Sequence, residues 1–243
     1  MQKAASRKKH ATDVVRPIDE EVRAAVAWLE RRGSKRNREG MARYAIRSKC
    51  ILGVSVADLR GYAKELGRNH RLALALWKTG IYEARMLAAF VAEPERVTPA
   101  LMDRWARDFD NWAICDTVCF HLFDRTPHAF AKVTEWIDAH GEFVRRAAFA
   151  LLASVAGHDK TTGDQPFLRG LRLVKRAASD DRNFVKKAVS WALRRIGQRN
   201  RALHAAAMEV ARSLAGSTER TPRWIGQDAL RDLTSATTMR LKS

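Results

Sequence analysis

The chain has 243 residues, of which 45 are Lys or Arg and 27 are Asp or Glu, so its formal net charge is +18. A hydrophobic content of 46% excludes a wholly disordered protein, and no run of the sequence approaches the roughly 18 apolar residues of a membrane span. The first residues also lack the apolar run of a secretory signal, so we expect a soluble intracellular protein.

The positive surplus indicates a polyanionic partner, of which nucleic acid is the simplest candidate. The alternative is that the surface charges keep the protein soluble and bind no ligand. Composition alone leaves both interpretations open. The segment 1–16 contains RKKH at 7–10 and no apolar periodicity, so it is predicted to be a flexible basic tail. Residues 17–243 are predicted to form a single helical domain.

Apolar residues recur at helical spacing along this domain. The first helix is predicted from Glu21 to a stop at Gly33 and Ser34. Further helices, separated by turns rich in Gly, Pro and Thr, are predicted over 36–49, 56–67, 70–79, 82–93, 98–107, 111–124, 127–139, 142–156, 165–179, 182–197, 200–216 and 222–236. No window alternates in the manner of a half-buried strand, so the fold class is predicted to be all-α.

Many short helices joined by about two to six residues favour helices that pack antiparallel to their neighbours in the chain. This pattern predicts a superhelical solenoid of HEAT-like or armadillo-like helix pairs, with a concave face shaped for a rod-like ligand. A globular helical bundle is the alternative.

The helix predicted over 111–124, with Asp110 or Asn111 as its N-cap, places an indole beside a carboxylate. Trp112 and Asp116 are four residues apart, so they lie one turn apart on the same side, at the border of the apolar stripe. A partly desolvated carboxylate acts more strongly on any cation close to it. The simpler interpretation is a tryptophan packed at a helix edge beside an exposed or arginine-paired aspartate.

The same helix carries Cys115, Cys119 and His121, but these residues are not predicted to bind a metal. Both cysteines fall on the apolar stripe, whereas His121 points to a different side of the helix. The third cysteine, Cys50, forms no CxxC pair. We therefore expect buried core cysteines, with no metal and no disulfide framework.

The helix predicted over 182–197 carries an indole that its apolar stripe does not include. Trp191 has Lys187, Arg194 and Arg195 as helical neighbours, so it is predicted to face away from the core among three cations. Cations that bind phosphates, next to an aromatic ring that stacks on a sugar or base, are typical of a surface that binds nucleic acid. Packing of the ring under Arg194 or Arg195, which contributes about 0.5–1 kcal/mol at an exposed site, is the alternative.

Another basic site is predicted at Arg146, near the start of an otherwise apolar helix. Arg146 shares its face with the small residues Ala150 and Ala153, which leave room for the backbone of a ligand. A salt bridge from Arg146 to Asp138 or Glu142 is the alternative.

Six segments follow one another in a characteristic order: MARY at 41–44, LGVSVADLR at 52–60, LWKTGIYEARMLAAF at 76–90, DNWAICD at 110–116, RAA at 146–148 and KKAVSWALR at 186–194. The most specific of them are the WxxxD pair and the KAxxWxLR pattern further along a basic, helical chain. In this order, the segments resemble the AlkD family of bacterial DNA glycosylases, which excise alkylated purines and are built from HEAT-like helical repeats. The resemblance covers nearly the whole chain after the basic tail.

The resemblance implies an enzyme that hydrolyses the N-glycosidic bond of positively charged N3- or N7-alkylated purines in double-stranded DNA, without a cofactor or a metal. Asp116 then takes the place of the catalytic carboxylate, and Trp112 and Trp191 take those of the site aromatics. Arg146 matches an arginine that contacts the DNA backbone. The resemblance also implies a monomer that acts in base excision repair in the bacterial cytoplasm, associated with the nucleoid through its DNA.

Further side chains are candidates for contacts with the DNA backbone. These are Arg43, Tyr44 and Lys49 on or near the early helix, together with Lys187 and Arg194.

The chain departs from the family pattern at Ser190, where the family commonly has Gly, and at Arg195, where it commonly has Glu. The segment around Trp224 has no counterpart in the family pattern. Some branches of the family lack the catalytic residues, and the presence of Trp112, Asp116 and Trp191 argues against membership of those branches. Two other functions stay open: a non-catalytic helical-repeat protein that binds damaged or deformed DNA by shape, and a protein-binding solenoid with an acidic partner.

Overall fold

The computed structural model describes residues 17–235, so the tail predicted for 1–16 lies outside the described residues. All regular secondary structure in the described part is helical, as predicted, and none of these helices combines the length and apolar character needed to cross a bilayer. Two short 3₁₀ turns, Pro94–Arg96 and Phe123–Arg125, interrupt the series of α-helices. The α-helices are α1 (Ile18–Arg32), α2 (Lys35–Arg43), α3 (Val56–Leu66), α4 (His70–Lys78), α5 (Tyr82–Val91), α6 (Pro99–Arg107), α7 (Trp112–His121), α8 (Ala129–Trp136), α9 (Glu142–His158), α10 (Gln165–Arg176), α11 (Asn183–Gly197), α12 (Arg201–Ala215) and α13 (Arg220–Leu233).

The helices stack as two layers. In the inner layer, α3 packs on α5, α5 on α7, α7 on α9, α9 on α11, and α11 on α13. In the outer layer, α1 packs on α4 and α10 packs on α12, while α4, α8, α10 and α12 each pack against the inner helix that follows them in the chain. The repeated unit is an outer helix followed by an inner helix, which is the arrangement of the predicted solenoid.

The helix predicted over 36–49 is shorter in the structure. α2 ends at Arg43, and Lys49 lies in the irregular segment 44–55 rather than on the helix. The sequence does not mark this end because no Gly or Pro follows Arg43 before Gly53, and such residues are the usual stop signals.

The backbone at the end of α2 forms a Schellman motif with Ala where Gly is usual. Ala45 is in the left-handed region with a φ of 57°. Its N–H donates to the carbonyl of Ala42, and the N–H of Ile46 donates to the carbonyl of Met41, each at 3.0 Å. Ile46 and Met41 both pack against the core, as is common in this motif. Because Ala has a Cβ, the conformation costs about 1–2 kcal/mol that Gly would avoid.

The segment that follows α2 is attached to α5 by a buried carboxylate. Glu83 has no exposed surface and accepts the N–H groups of Leu52, Gly53 and Val54 at 2.9, 2.6 and 3.3 Å. Gly53 has a φ of +87°, and a Cβ there would lie 2.2 Å from the carbonyl oxygen of Ser34, so a side chain does not fit. Hydrogen bonds to a charged acceptor are strong, so they hold the segment in one position at the edge of the inner layer.

Two cysteines align α7 with α9. Cys115 and Cys119 are buried in the core, as predicted. The Cys115 thiol donates to the carbonyl of Phe143 at 3.6 Å, and the Cys119 thiol donates to that of Ala147 at 3.7 Å. Their small side chains keep α7 close to α9, which brings Asp116 next to α9.

His121 ends α7 in a cluster of cations and rings. Its Nε2 lies 3.1 Å from the guanidinium of Arg60, and its ring meets that of Phe90 edge-on at 5.0 Å. Burial, together with the charges of Arg60, Arg125 and His158, lowers the pKa of His121 to about 4. The ring is therefore uncharged at neutral pH, with Nε2 free to accept from Arg60.

Replacement of Ala45 by Gly is expected to raise the free energy of unfolding by about 1 kcal/mol, because Gly adopts a positive φ without a Cβ clash. Urea denaturation measures this change. As a control, Ala205→Gly in the exposed middle of α12 is expected to lower stability by about 1 kcal/mol. A loss of stability in Ala45→Gly would contradict the argument.

The pKa of His121 also predicts a dependence of stability on pH. The unfolded chain takes up this proton near pH 6.5, whereas the folded chain takes it up only near pH 4, so stability falls as the pH drops through this window. His121→Gln keeps an acceptor for Arg60 but does not titrate. We expect the variant to lose less stability than the wild type between pH 6.5 and 4, as measured by urea denaturation at a series of pH values. Parallel pH profiles for the two proteins would refute the prediction.

Candidate functional site

An open cleft of about 820 Å³ lies on the inner layer, between the loop after α2 and helices α7, α9, α11 and α13. Lys49 is exposed in segment 44–55 and does not line this cleft. The lining residues that the sequence predicted are Arg43, Tyr44, Trp112, Asp116, Arg146, Lys187, Trp191 and Arg194. The remaining lining residues are Ala45, Asn183, Phe184, Trp224 and Asp228.

Asp116 and Arg146 form a bidentate ion pair where α7 meets α9. Arg146 Nε donates to Asp116 Oδ1 at 2.8 Å, and Nη2 donates to Oδ2 at 2.7 Å. Arg146 Nη1 donates to the carbonyl of Phe184 on α11 at 2.6 Å. The side chains of Arg146 and Asp116 are only 7% and 20% exposed. Because an unpaired charge at this depth would cost several kcal/mol, each group depends on the other.

The partner of Arg146 differs from both of the salt bridges that the sequence suggested. Asp138 pairs with Arg176 at 2.8 Å, and Glu142 accepts the N–H of Phe184 at 3.4 Å. The face of α9 that carries Arg146 packs against α7 and α11, so the guanidinium turns into the inner layer rather than toward the exposed Asp138.

The small residues beside Arg146 also have a different role from the one expected. Ala150 and Ala153 have no exposed surface. They leave room for neighbouring helices instead of for a ligand backbone. The contact between Arg146 and DNA stays a prediction.

The electrostatics of Asp116 follow from its burial and its partner. Burial raises the pKa of the Asp116 carboxyl above its ordinary value, and the adjacent guanidinium of Arg146 opposes this rise. The pairing keeps a carboxylate in a place with little water. A cation that enters the cleft is attracted to it with less screening than at an open surface.

The start of α7 positions Trp112. Asn111 caps the helix, because its Oδ1 accepts the N–H groups of Ala113 and Ile114 at 3.0 and 3.1 Å, which confirms one of the two predicted caps. Trp112 Nε1 donates to the carbonyl of Tyr44 at 2.8 Å, while the Tyr44 side chain is 73% exposed. The indole is thus held in the cleft wall by the loop after α2.

α11 brings Lys187, Trp191 and Arg194 to the cleft, but not Arg195. The guanidinium of Arg195 lies against Gly157 of α9, in space that a side chain at that position would fill. Trp191 is partly buried against the core, so the prediction that it faces away from the core was wrong. The reason is that α11 packs against α9, α12 and α13, so its side toward the cleft also contacts core residues.

Arg194 already has acidic partners on α13. Its Nε lies 3.7 Å from Asp228 Oδ2, and its Nη1 lies 3.7 Å from Asp232 Oδ2. Ser190, which replaces the common Gly of the family pattern, donates its hydroxyl to Asp228 Oδ2 at 2.6 Å. A phosphate contact by Arg194 would therefore compete with two carboxylates.

Sequence reasoning missed Asn183, Phe184, Trp224 and Asp228 as parts of the site. One signal was present, since Trp224 and Asp228 have the same WxxxD spacing as the pair on α7. Their importance depends on α13 facing the same cleft as α7, which is a result of stacking and not of local sequence.

Comparison with protein families matches residues 25–233 to the family described as DNA alkylation repair enzyme. The chain belongs to this family. A solved structure described as "A new family of proteins related to the HEAT-like repeat DNA glycosylases with affinity for branched DNA structures" is similar, with a TM-score of 0.74, 20% sequence identity, and coverage of 86% of this chain and 94% of that chain. The likeness shows that this DNA alkylation repair family member has a HEAT-like repeat fold. A search among curated proteins finds no match.

The ion pair predicts a strongly non-additive effect on stability. Arg146→Met leaves the carboxylate of Asp116 buried without its partner, so we expect the free energy of unfolding at pH 7 to fall by about 3–5 kcal/mol. The double variant Arg146→Met/Asp116→Leu is expected to recover most of this loss, because it removes both charges and fills the space. Urea denaturation of the single and double variants measures the difference. A double variant as unstable as Arg146→Met would contradict this account.

Proposed function

We propose that this protein is a DNA glycosylase that hydrolyses the N-glycosidic bond of positively charged N3- or N7-alkylated purines in double-stranded DNA. The observation that carries this proposal is the carboxylate of Asp116, which Arg146 holds in a cleft that Trp112 and Trp191 also line. Membership of the DNA alkylation repair enzyme family supports the substrate class.

The positive charge of an alkylated purine is complementary to the carboxylates that line the cleft. Alkylation at N3 or N7 puts a positive charge on the purine, so the base is a good leaving group without protonation by a strong acid. Both carboxylates that line the cleft are paired with arginines, Asp116 with Arg146 and Asp228 with Arg194. For Asp116, the bidentate pairing favours the ionised form, which suits electrostatic stabilisation better than proton donation.

In the proposed reaction, the bond between C1′ and the purine nitrogen breaks, and its electron pair leaves with the base and neutralises the base. The deoxyribose gains oxocarbenium character, which the carboxylate of Asp116 stabilises. Asp116 also orients the water that attacks C1′ and loses a proton to solvent. The ring faces of Trp112 and Trp191 favour the developing cation through their quadrupoles.

The other predicted residues have supporting roles in this proposal. Arg146 is a positioning residue for Asp116, and a contact with DNA would use those of its five N–H groups that Asp116 and Phe184 do not occupy. Arg43, Tyr44 and Lys187 are the main candidates for contacts with the DNA backbone. They line the cleft, and the charges of the two cations attract phosphates. The contacts of Arg194 and Lys49 stay predictions.

A second candidate function is non-catalytic binding of damaged or deformed DNA. Two observations favour it: the similar solved protein is described as having affinity for branched DNA, and Arg146 already engages both oxygens of Asp116. In that case the cleft would recognise the shape of the DNA backbone without cleaving a bond.

Asp116→Asn distinguishes the two functions. We expect the wild type to release N7-methylguanine from a methylated duplex, and the variant to release it at least about 100-fold more slowly, because the negative charge at the developing cation is lost. Chromatography of the released base gives the rate. Affinity for a duplex with a tetrahydrofuran abasic analogue is expected to stay within a few-fold of the wild type.

The control for this experiment is Asp138→Asn. It makes the same chemical change at a side chain that is 71% exposed and outside the cleft, so its rate of base release should equal that of the wild type. Thermal melting confirms that each variant is folded at the assay temperature. If the wild type releases no alkylated base, the glycosylase proposal fails and non-catalytic binding replaces it.

A further inference from the structure

The cations that line the cleft differ in whether carboxylates pair with them. Arg43 and Lys187 have no carboxylate within salt-bridge distance among residues 17–235. The charge of Arg194 is offset by Asp228 and Asp232 at 3.7 Å each. Phosphates therefore favour Arg43 and Lys187, and an uncharged part of the ligand fits beside Arg194 and its partners.

Trp224 also lines the cleft. It lies on α13 and is partly buried against the core. The ammonium group of Lys186 lies 5.3 Å from the ring centroid and covers part of the indole. The indole also borders the cleft, and nucleobases stack on aromatic side chains whatever their sequence.

The position of Trp224 is rigid. Gly226, two residues on, packs so closely on α12 that a Cβ there would lie 2.2 Å from the backbone nitrogen of Ala215 and 2.6 Å from the carbonyl oxygen of Ala211. The hydroxyl of Ser190 joins α13 to α11 through Asp228. A ring on a fixed helix loses little conformational entropy when a ligand binds.

Asp228 lies one turn after Trp224 and also faces the cleft, so the pair has the same spacing as Trp112 and Asp116. Its hydrogen bonding differs from that of Asp116, whose two oxygens share a single guanidinium. Ser190 donates to Oδ2 of Asp228 at 2.6 Å, and Arg231 donates to Oδ1 at 3.0 Å. Since each carboxylate oxygen accepts more than one hydrogen bond, Asp228 keeps capacity for a donor from the cleft.

We propose that Trp224 and Asp228 form a base subsite, in which a nucleobase displaced from the DNA stack at the damaged site stacks on Trp224 and donates its exocyclic amine to Asp228. This proposal rests on the proposed binding of DNA in the cleft, and it does not require that a bond is cleaved. The displaced base is either the one opposite the lesion or the one beside it, and the two share this chemistry.

The first test is the affinity for two duplexes, one with a tetrahydrofuran abasic analogue and one undamaged, measured by fluorescence anisotropy. Trp224→Ala is expected to weaken binding of the abasic duplex about 5- to 100-fold and to leave binding of the undamaged duplex within twofold. Trp224→Phe, which keeps a ring, should retain most of the affinity. Equal affinities of wild type and Trp224→Ala for the abasic duplex, or equal losses on both duplexes, would overturn the proposal.

The control variant is Trp28→Ala. Trp28 stacks on Tyr62 at 4.1 Å and lies on α1 in the outer layer, outside the cleft. Its replacement tests whether the loss of a partly buried tryptophan weakens DNA binding simply because it destabilises the folded protein. The proposal requires Trp28→Ala to bind both duplexes as the wild type does, at a temperature where thermal melting shows both variants to be folded.

The second test identifies the base. 2-Aminopurine is placed opposite the abasic analogue in one duplex and directly 5′ or 3′ of it in two others. Stacking on an indole quenches this fluorophore, so its emission in the complex should be higher for Trp224→Ala than for the wild type at one of the three positions. The position that responds distinguishes the opposite base from a flanking one, and no response at any position would overturn the proposal.

The third test addresses Asp228. At the position that responds, adenine is compared with purine, which lacks the exocyclic amine. The wild type is expected to bind the adenine duplex about tenfold more tightly, and Asp228→Leu, which has no acceptor, is expected to lose this preference. The ratio within each variant cancels any general effect of releasing Arg194 from its partner. A wild type without the preference would overturn the hydrogen bond to Asp228. None of these duplexes carries a cleavable lesion, so the outcome is independent of whether the glycosylase proposal holds.

Discussion

The ion pair of Asp116 and Arg146 is the interaction on which the site depends. It joins three helices of the inner layer, since Asp116 lies on α7, Arg146 on α9, and the third bond of the guanidinium goes to the carbonyl of Phe184 on α11. Removing two charges from water is costly, and only the bidentate geometry compensates for this. The same geometry leaves an ionised, oriented carboxylate at the wall of the cleft. Stability and the proposed chemistry therefore rest on the same pair.

The parts of the site that the sequence predicts are those that depend on local spacing. Trp112 and Asp116 lie about one turn apart because their spacing of four is close to the roughly 3.6 residues of a helical turn, and Asn111 is a cap because of its residue type. The partner of Arg146 is 30 positions away, and carboxylates nearer in sequence were equally plausible. Only the stacking of α7 on α9, through small buried cysteines, selects among them.

The net charge of +18 shows why composition cannot locate a binding site. Arg146 and Arg194 line the cleft, but their charges are matched by carboxylates at salt-bridge distance. Arg195 is directed to α9 because Gly157 leaves space for it. Among the residues that line the cleft, the cations without a carboxylate at salt-bridge distance are therefore Arg43 and Lys187. Which cations form ion pairs depends on the folded structure, and a count of charged residues contains no information about this pairing.

The loop after α2 shows how the fold supports a strained feature beside the site. Ala45 adopts a left-handed conformation that disfavours a residue with a Cβ, next to Tyr44, whose carbonyl accepts the indole N–H of Trp112. A strained residue persists only where its surroundings determine its conformation. Here the Schellman bonds determine it, and the buried carboxylate of Glu83 fixes the later part of the same segment through three backbone donors. The gain is an indole whose position is set before any ligand arrives, so binding does not have to order it.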